Sequence, residues 1–371
     1  MKRPDAADRI VLSLNVGSSS VKFSIHRSQS GALQEIGSGT VDRQHGKGTV
    51  SFNYADSSKP NVHERPIPGS VSTALQDLAD AEGRIIGIGH RLVHGGLSIC
   101  DHLRLSDQVM ATLARAVPFA PLHLPPALKL IEECFNTFSD IPQVGCFDTA
   151  FHKALPPVAA TLPLPRTIRD LGVRRFGFHG LSCESVVEQL KQMAARRLVV
   201  AHLGGGSSIT AIADGHSVDT SMGLTPMGGI MMSHRPGDLD PGIVFYLLRE
   251  KHYDADTLED LLEHQAGISG VSPAHADMRD LQSAARRAEA DATLALDMFV
   301  RSVARQIAGM CVALGGLDLL VFTGGVGENA IAVRERVIEQ LAPVLGQPSV
   351  MVLPSRENER IAFHTARLMQ A

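Results

Sequence analysis

Arginine and histidine recur in this chain where short apolar runs give way to glycine. The segments are His90-Arg91-Leu92-Val93-His94-Gly95-Gly96, Arg175-Phe176-Gly177-Phe178-His179-Gly180 and His234-Arg235-Pro236-Gly237-Asp238, with His123 standing alone. A guanidinium is a planar fork that matches a carboxylate or a phosphate, and phosphoryl transfer needs fixed positive charge around the moving oxygens. The chain has 16 histidines, so only those inside glycine-rich turns rise above an ordinary structural role. His90 and His94 have the i, i+4 spacing of zinc ligands. Arg91 lacks the carboxylate that HExxH would place nearby, and no third ligand is evident, so zinc is set aside.

Glycine and serine supply the second set. Three turns, at residues 15–20, 204–208 and 323–327, each follow an apolar run. Such turns point backbone N–H groups outward and let phosphate oxygens approach closely. One would be an ordinary hairpin; three favour a nucleotide. None fits GxxxxGK[ST] or a strand–GxGxxG–helix pattern. Lys22 leaves the first turn between apolar neighbours, which suits either a phosphate contact or a solvated face. Among the acids, Asp148 ends an apolar strand, the usual place for a side chain at the working end of an α/β domain. Asp219, Asp238, Asp240, Glu328 and Glu357 are further candidates. Mg²⁺ on a triphosphate needs only one or two of them, and the others are expected to be solvated or structural.

The elements that must hold these residues alternate between β-type and helical patterns, which predicts an α/β fold. Strands are expected at 10–14, 21–25, 48–54, 84–89, 143–147, 197–203, 209–213 and 317–322. The rest of 28–68 reads as polar loop. A helix is expected after Pro125-Pro126, a long one over 281–314, and another from Asn329. Gly17-Ser18-Ser19 and Gly206-Ser207-Ser208 occupy the same point of two strand–turn–strand units half a chain apart, hinting at a duplicated domain.

With 371 residues the chain can form two domains, and 44 % hydrophobic with 20 % charged residues is ordinary globular composition. A net charge of −4 and the lack of a Lys/Arg-rich run argue against nucleic acid or an anionic membrane as partner. Five scattered cysteines without a CxxC pair suggest neither a disulfide framework nor a zinc ribbon, and a reducing cytoplasm is expected. No apolar run approaches the ~18 residues that span a bilayer.

Taken together, the motifs resemble the acetate kinase family, which includes propionate and butyrate kinases. The matching segments are 15–22, 90–96, 121–123, Phe147-Asp148-Thr149-Ala150-Phe151-His152, 174–180, Asp219-Thr220-Ser221-Met222-Gly223-Leu224-Thr225-Pro226, 235–241 and 322–329. They run colinearly from residue 10 to about 362. The resemblance implies two related ribonuclease-H-like domains with a cleft between them, as in actin, Hsp70 and sugar kinases. The expected division is 1–146, with 356–371 packing back on it, and 147–355 as the nucleotide-binding domain. It also implies Mg²⁺, a homodimer, and reversible transfer between ATP and an acyl phosphate.

Carried over residue by residue, Arg91 and Arg235 would orient the carboxylate and neutralise the phosphoryl group. His179 would hydrogen-bond that group, and Asp148 would align the carboxylate and the metal. Asn15 and Glu357 would hold Mg²⁺. Asn15, Ser18, Lys22, His202, Gly204, Gly205 and Gly206 would approach the phosphates, and Asp277 and Arg279 the adenosine, with Gly324, Gly325, Gly327 and Asn329 beside the nucleotide. Val93, Leu122, Phe178 and Pro226 would line a small apolar pocket for the acid. Departures from the family pattern are Gly205 for asparagine, Leu124 after His123, Cys183 for histidine, Gly228 for glutamate, and Met231-Met232-Ser233-His234 before Arg235. Acetate is the leading acceptor and propionate the second. An actin-like ATP-binding protein without catalysis, or an alcohol kinase using Asp148 as base, are the readings from other classes. Two arginines at the acceptor suit a carboxylate better than a hydroxyl.

Overall fold

The computed structural model describes residues 8–17, 20–29, 32–42, 48–67, 69–193 and 195–370. The chain forms two compact units, residues 1–150 with 356–371, and residues 151–355. The division thus falls four residues beyond the expected 146/147 boundary. Those four residues stay with the first unit because Phe147 is still in a strand and the Asp148 amide donates to Leu92 O (2.9 Å).

In the first unit an eight-stranded sheet contains β1 (Arg9–Val16), β2 (Ser20–Gln29), β3 (Ala32–Asp42), β4 (Thr49–Tyr54), β5 (Val62–Pro66), β6 (Arg84–Leu92), β7 (Leu103–Arg104) and β8 (Gln143–Phe147). Its order is β5-β4-β3-β2-β1-β6-β8-β7. The second unit has β9 (Arg197–Leu203), β10 (Ser207–Ala213), β11 (His216–Thr220), β12 (Leu319–Thr323) and β13 (Val350–Val352), in the order β11-β10-β9-β12-β13. Both sheets share a core of three antiparallel strands followed by two parallel ones. In the first it is β3-β2-β1 and then β6-β8; in the second it is β11-β10-β9 and then β12-β13. Each unit has the ribonuclease-H-like core that the resemblance implies. The serine–glycine echo sits on equivalent hairpins, β1–β2 and β9–β10.

Residue patterns explain the central strands. β1 and β9 are interior strands buried on both faces, so their sequences read as near-continuous apolar runs. β12 (Leu-Leu-Val-Phe-Thr) is buried at every position. The helix Ala290–Leu314 lays ten buried side chains, among them Leu296, Phe299, Val303 and Ile307, against the second sheet's core. Fully burying each large one contributes about 1.5–3 kcal/mol. The helix Glu357–Gln370 closes the first unit. Gly87 and Gly89 of β6 admit it closely, since a Cβ on Gly89 would lie 2.1 Å from Thr365 Oγ1.

Four expectations need correction. The strand expected at 48–54 is β4, but the rest of 28–68 is not all loop: it also holds β3 and β5, whose exposed polar positions dilute the alternation. β6 runs to Leu92 and so carries His90 and Arg91 within it. The helix expected over 281–314 is two, Met278–Arg286 and Ala290–Leu314, separated where Ala288 turns left-handed (φ 59). The third glycine turn is the start of a short helix, Gly324–Asn329, and the next begins at Ile331. Among the described residues no helix is long and apolar enough to cross a membrane.

His26, His90 and His152 are buried in these cores, and burial lowers each imidazole to about 4. They fold neutral, whereas in the unfolded chain they protonate near 6.5, so stability is full above that value and falls as pH drops toward 4. Each is expected to remove about 3 kcal/mol over that window. Urea midpoints from pH 7 to 4 check this: His90→Gln should flatten the slope by roughly a third, and an unchanged slope would count against it.

Candidate active site

In the first unit, parallel pairing brings the ends of β1, β6 and β8 side by side. Leu14 pairs with His90 and Arg91 with Cys146, which sets Asn15, Arg91 and Asp148 next to one another. Arg91 donates from Nε and Nη2 to the Asp148 carboxylate (3.1 and 2.5 Å to Oδ2) and from Nη1 to Asn15 Oδ1 (3.2 Å). Asn15 Nδ2 donates in turn to Glu357 Oε2 (2.8 Å), at the first turn of the closing helix. One guanidinium thus meets one carboxylate directly and a second through a single amide. Burial pushes the Asp148 carboxyl up and Glu357 adds to this, while the charge and hydrogen bonds of Arg91 oppose both. Burial also works against the Arg91 charge, but Asp148 and Glu357 outweigh it and the guanidinium is raised.

Lys22 pairs with Asn15 across β1–β2, so both project from one face, and Lys22 is exposed. Val93 is buried and Leu122 half-buried in the same unit. His90 bonds Gln143 (2.7 Å) and His94 accepts from the Gly96 amide (2.9 Å), so each ring has a partner within the fold. Ser18 lies outside the described residues.

In the second unit, His179 caps the helix Gly180–Leu190 with a left-handed backbone (φ 56, ψ 28). That conformation is costly for a residue with a side chain and marks functional sites when the surroundings enforce it. Its Nδ1 is 2.9 Å from Ser208 Oγ on β10, and its ring stacks on His202 (centroids 4.2 Å apart). His202 Nδ1 is in turn 2.8 Å from Ser182 Oγ. Arg235 donates from Nη1 to Pro226 O (2.6 Å). A Cβ on Gly206 would lie 3.1 Å from Arg235 Nη2 and 3.3 Å from His179 Nε2, so both polar tips reach the same space over that glycine. Gly324, just past β12, also comes close: its Cβ would meet Leu203 O at 2.7 Å and His202 Nε2 at 3.2 Å. Gly204, Gly206, His179, His202, Arg235 and Gly324 therefore form one constellation, a glycine-walled and positively charged recess.

Other expected residues are spent locally. Asp277 caps the helix Met278–Arg286 and pairs with Arg279, whose side chain is 90 % exposed. Asn329 Nδ2 donates to Gly325 O (2.8 Å), and neither Gly205 nor Gly325 has a neighbour where a Cβ would sit. Gly327 has only ordinary contacts and Phe178 is buried. Asp219, Asp238 and Asp240 accept backbone amides, and Glu328 accepts those of Gly324 and Ser355. Ser208 and Ser182, which hold the two stacked imidazoles, escaped the sequence reading. Ser208 alone had a signal, since it belongs to the second glycine–serine turn.

The sequence model of the Acetokinase family matches residues 10–352. An acetate kinase of Rhodopseudomonas palustris (strain ATCC BAA-98 / CGA009) is 40 % identical, with 90 % of this chain and 86 % of that protein covered. An acetate kinase of Shewanella frigidimarina (strain NCIMB 400) is 36 % identical over 98 % of this chain and 100 % of its own length. Among solved structures, a propionate kinase from Francisella tularensis subsp. tularensis SCHU S4 superposes with a TM-score of 0.86 at 31 % identity, covering 97 % of this chain and 100 % of that one. The acetate kinase of Porphyromonas gingivalis gives 0.81 at 30 % identity, with 97 % and 100 % covered.

Gly206→Ala tests the recess. The added methyl would crowd Arg235 and His179 without straining the backbone, so turnover should fall roughly tenfold or more. The thermal midpoint should move by no more than about 4 °C. Steady-state rates beside a melting curve check this, and full turnover in a folded variant would rule the recess out.

Proposed function

The chain belongs to the acetokinase family, and from that premise we propose how its residues share the family's reaction. That reaction is the ATP-dependent, reversible phosphorylation of acetate or another short-chain carboxylate to the acyl phosphate, leaving ADP. A carboxylate is already a nucleophile, so no strong base is needed, and catalysis reduces to placement and charge stabilisation. Arg235 and His179 stabilise the transferring phosphoryl group. The observation that carries this reading is the convergence of Arg235 Nη2 and His179 Nε2 over Gly206, with Ser208 holding the opposite edge of the imidazole. Arg91 orients the acceptor carboxylate. Asp148 grips Nε and Nη2 of Arg91 and so fixes the plane of the fork as well as aligning the acceptor.

Asn15 and Glu357 are the proposed Mg²⁺ ligands, with Asp148 acting directly or through water. The fit is chemical: an amide oxygen and two carboxylates, linked by hydrogen bonds through Arg91 and the Asn15 amide, make a hard, all-oxygen donor set. When bound, Mg²⁺ supplies charge neutralisation at the triphosphate oxygens. Lys22, His202, Gly204, Gly205 and Gly206 are assigned to the phosphates. Asp277 and Arg279, with Gly324, Gly325, Gly327 and Asn329, are assigned to the rest of the nucleotide. Val93, Leu122, Phe178 and Pro226 are assigned to the acid's alkyl group. One methylene there is worth only ~1–3 kcal/mol, so acetate leads propionate by a narrow margin. A reducing cytoplasm suits the five free cysteines.

A homodimer is part of the proposal. The helix Pro241–Glu250 is rich in Ile, Val, Phe, Tyr and Leu, yet none of its residues is buried; Phe245 is 53 % and Tyr246 51 % exposed. Such a face calls for a partner. Light scattering should give the mass of two chains for the native protein, and Phe245→Glu should give one; a native monomer would exclude the dimer.

The activity itself is tested with ATP, Mg²⁺ and hydroxylamine across C1–C5 acids and alcohol acceptors. Acyl hydroxamate should form with acetate. Folded Arg91→Ala and Arg235→Ala variants should lose about 10²–10³-fold in rate. Product from an alcohol alone would overturn the carboxylate reading.

A further inference from the structure

In the second unit the parallel register of β9, β12 and β13 sets their ends side by side: His202 pairs with Thr323, and Phe322 with Val352. Past β13 the chain is held at three points. Leu353 N donates to Phe322 O (3.0 Å), Gln189 Nε2 to Pro354 O (3.1 Å), and Ser355 N to Glu328 Oε1 (3.1 Å). The same Glu328 oxygen accepts the Gly324 amide (3.0 Å). Ser355 is thereby fixed beside the glycines that open the helix Gly324–Asn329.

From Ser355 a relay of side chains leads to His202. Ser355 Oγ donates to Ser182 Oγ (3.1 Å), and Ser182 Oγ lies 2.8 Å from His202 Nδ1. Ser182 is fully buried in the first turn of the helix Gly180–Leu190. A serine hydroxyl has one hydrogen to give, and a buried one needs an acceptor for it. Ser355 and His202 are the partners of this oxygen among the described residues, so with Ser355 as donor the hydrogen of Ser182 goes to Nδ1. A ring nitrogen that accepts carries no hydrogen, which puts the proton of the neutral imidazole on Nε2. That nitrogen faces two glycine turns: a Cβ on Gly324 would lie 3.2 Å from it, and one on Gly204 4.0 Å.

We infer that Ser182 is a positioning residue for the nucleotide: its hydroxyl, oriented by Ser355, fixes the tautomer of His202 so that Nε2–H is offered between the glycine turns as a donor to a phosphate oxygen. The inference rests on the assignment of His202 to the phosphates. Ser182 touches no substrate and acts through the imidazole. Stacking on His179, with ring planes 17° apart, already holds the plane of the ring, so the hydroxyl decides which nitrogen carries the proton. The other neutral tautomer would turn a bare nitrogen lone pair toward the anion, and a lone pair repels where a donor attracts.

Nitrogen NMR of protein labelled in its histidine rings reads the tautomer directly, with His202→Gln identifying the signals. The native protein should show Nε2 protonated and Nδ1 bare, and Ser182→Ala should show a mixture of the two forms. A donor to phosphate oxygens that do not react serves ground and transition states alike, so KM for ATP should rise about three- to tenfold in Ser182→Ala while kcat stays within about twofold. In a His202→Gln background Ser182→Ala should raise KM no further. Ser355→Ala leaves Ser182 in place and should move both readings the same way by less, which keeps the test decisive if Ser182→Ala fails to fold. A native ring protonated at Nδ1, an unchanged KM in a folded Ser182→Ala, or additive losses in the double variant would overturn the inference. If His202→Gln alone keeps the native KM, the phosphate reading of His202 fails instead, and the NMR signals still decide whether the relay sets the tautomer.

Discussion

A guanidinium with most of its surface removed from water must be answered by negative charge, and in the first unit that requirement organises everything around it. Arg91 is placed by β6, and its answer comes from Asp148, just past the end of the neighbouring parallel strand. The pair works only because β1, β6 and β8 end together, which the parallel register enforces. A second carboxylate, Glu357, arrives from the closing helix and reaches the pair through Asn15. Removing either partner of such a pair leaves a buried charge unpaired, which typically costs 3–5 kcal/mol. The geometry of the strand ends and the chemistry of the site are therefore one constraint seen twice.

The second unit meets the same need with different parts. Its recess is made by holding one guanidinium and two imidazoles against backbone that has no side chain of its own. Gly206 faces the side-chain tips of Arg235 and His179, and Gly324 faces the ring of His202. The left-handed backbone of His179 is a cost of this arrangement, and the Ser208 contact and His202 stack keep the ring in one place despite it. Preorganised donors of this sort lower a barrier because they need not reorganise when charge develops. Each unit thus gathers its polar and charged residues at the hairpins and strand ends of one shared topology.

Much of this was legible in the sequence because the relevant signals are local. β1, β8, β9 and β12 are short apolar runs with a polar or glycine residue at their ends, and Asp148, Arg91 and the glycine turns sit at those ends. What escaped was either diluted or non-local. β3 and β5 carry too many exposed polar residues to alternate cleanly. The short helix Gly324–Asn329 opens on three glycines and a valine, which by propensity read as a turn; Glu328, accepting the Gly324 amide, helps to hold it. The Ser208–His179 and Ser182–His202 contacts join residues twenty or more positions apart, and no pattern within one element announces them.

The departures from the family pattern divide along the same physical line. Gly205 faces open space, so packing does not require glycine there, and an asparagine would fit without moving a neighbour. Its absence is a change in chemistry alone: one fewer amide beside the recess. Gly228 is different. A Cβ there would lie 3.2 Å from Asp238 Oδ1, the same oxygen that accepts the Gly229 amide at 2.7 Å. Any side chain grown from that position would press its Cβ against an oxygen already committed to the backbone, which would have to give by a few tenths of an ångström. Glycine at 228 leaves the tie from Asp238 to the Gly229 amide undisturbed.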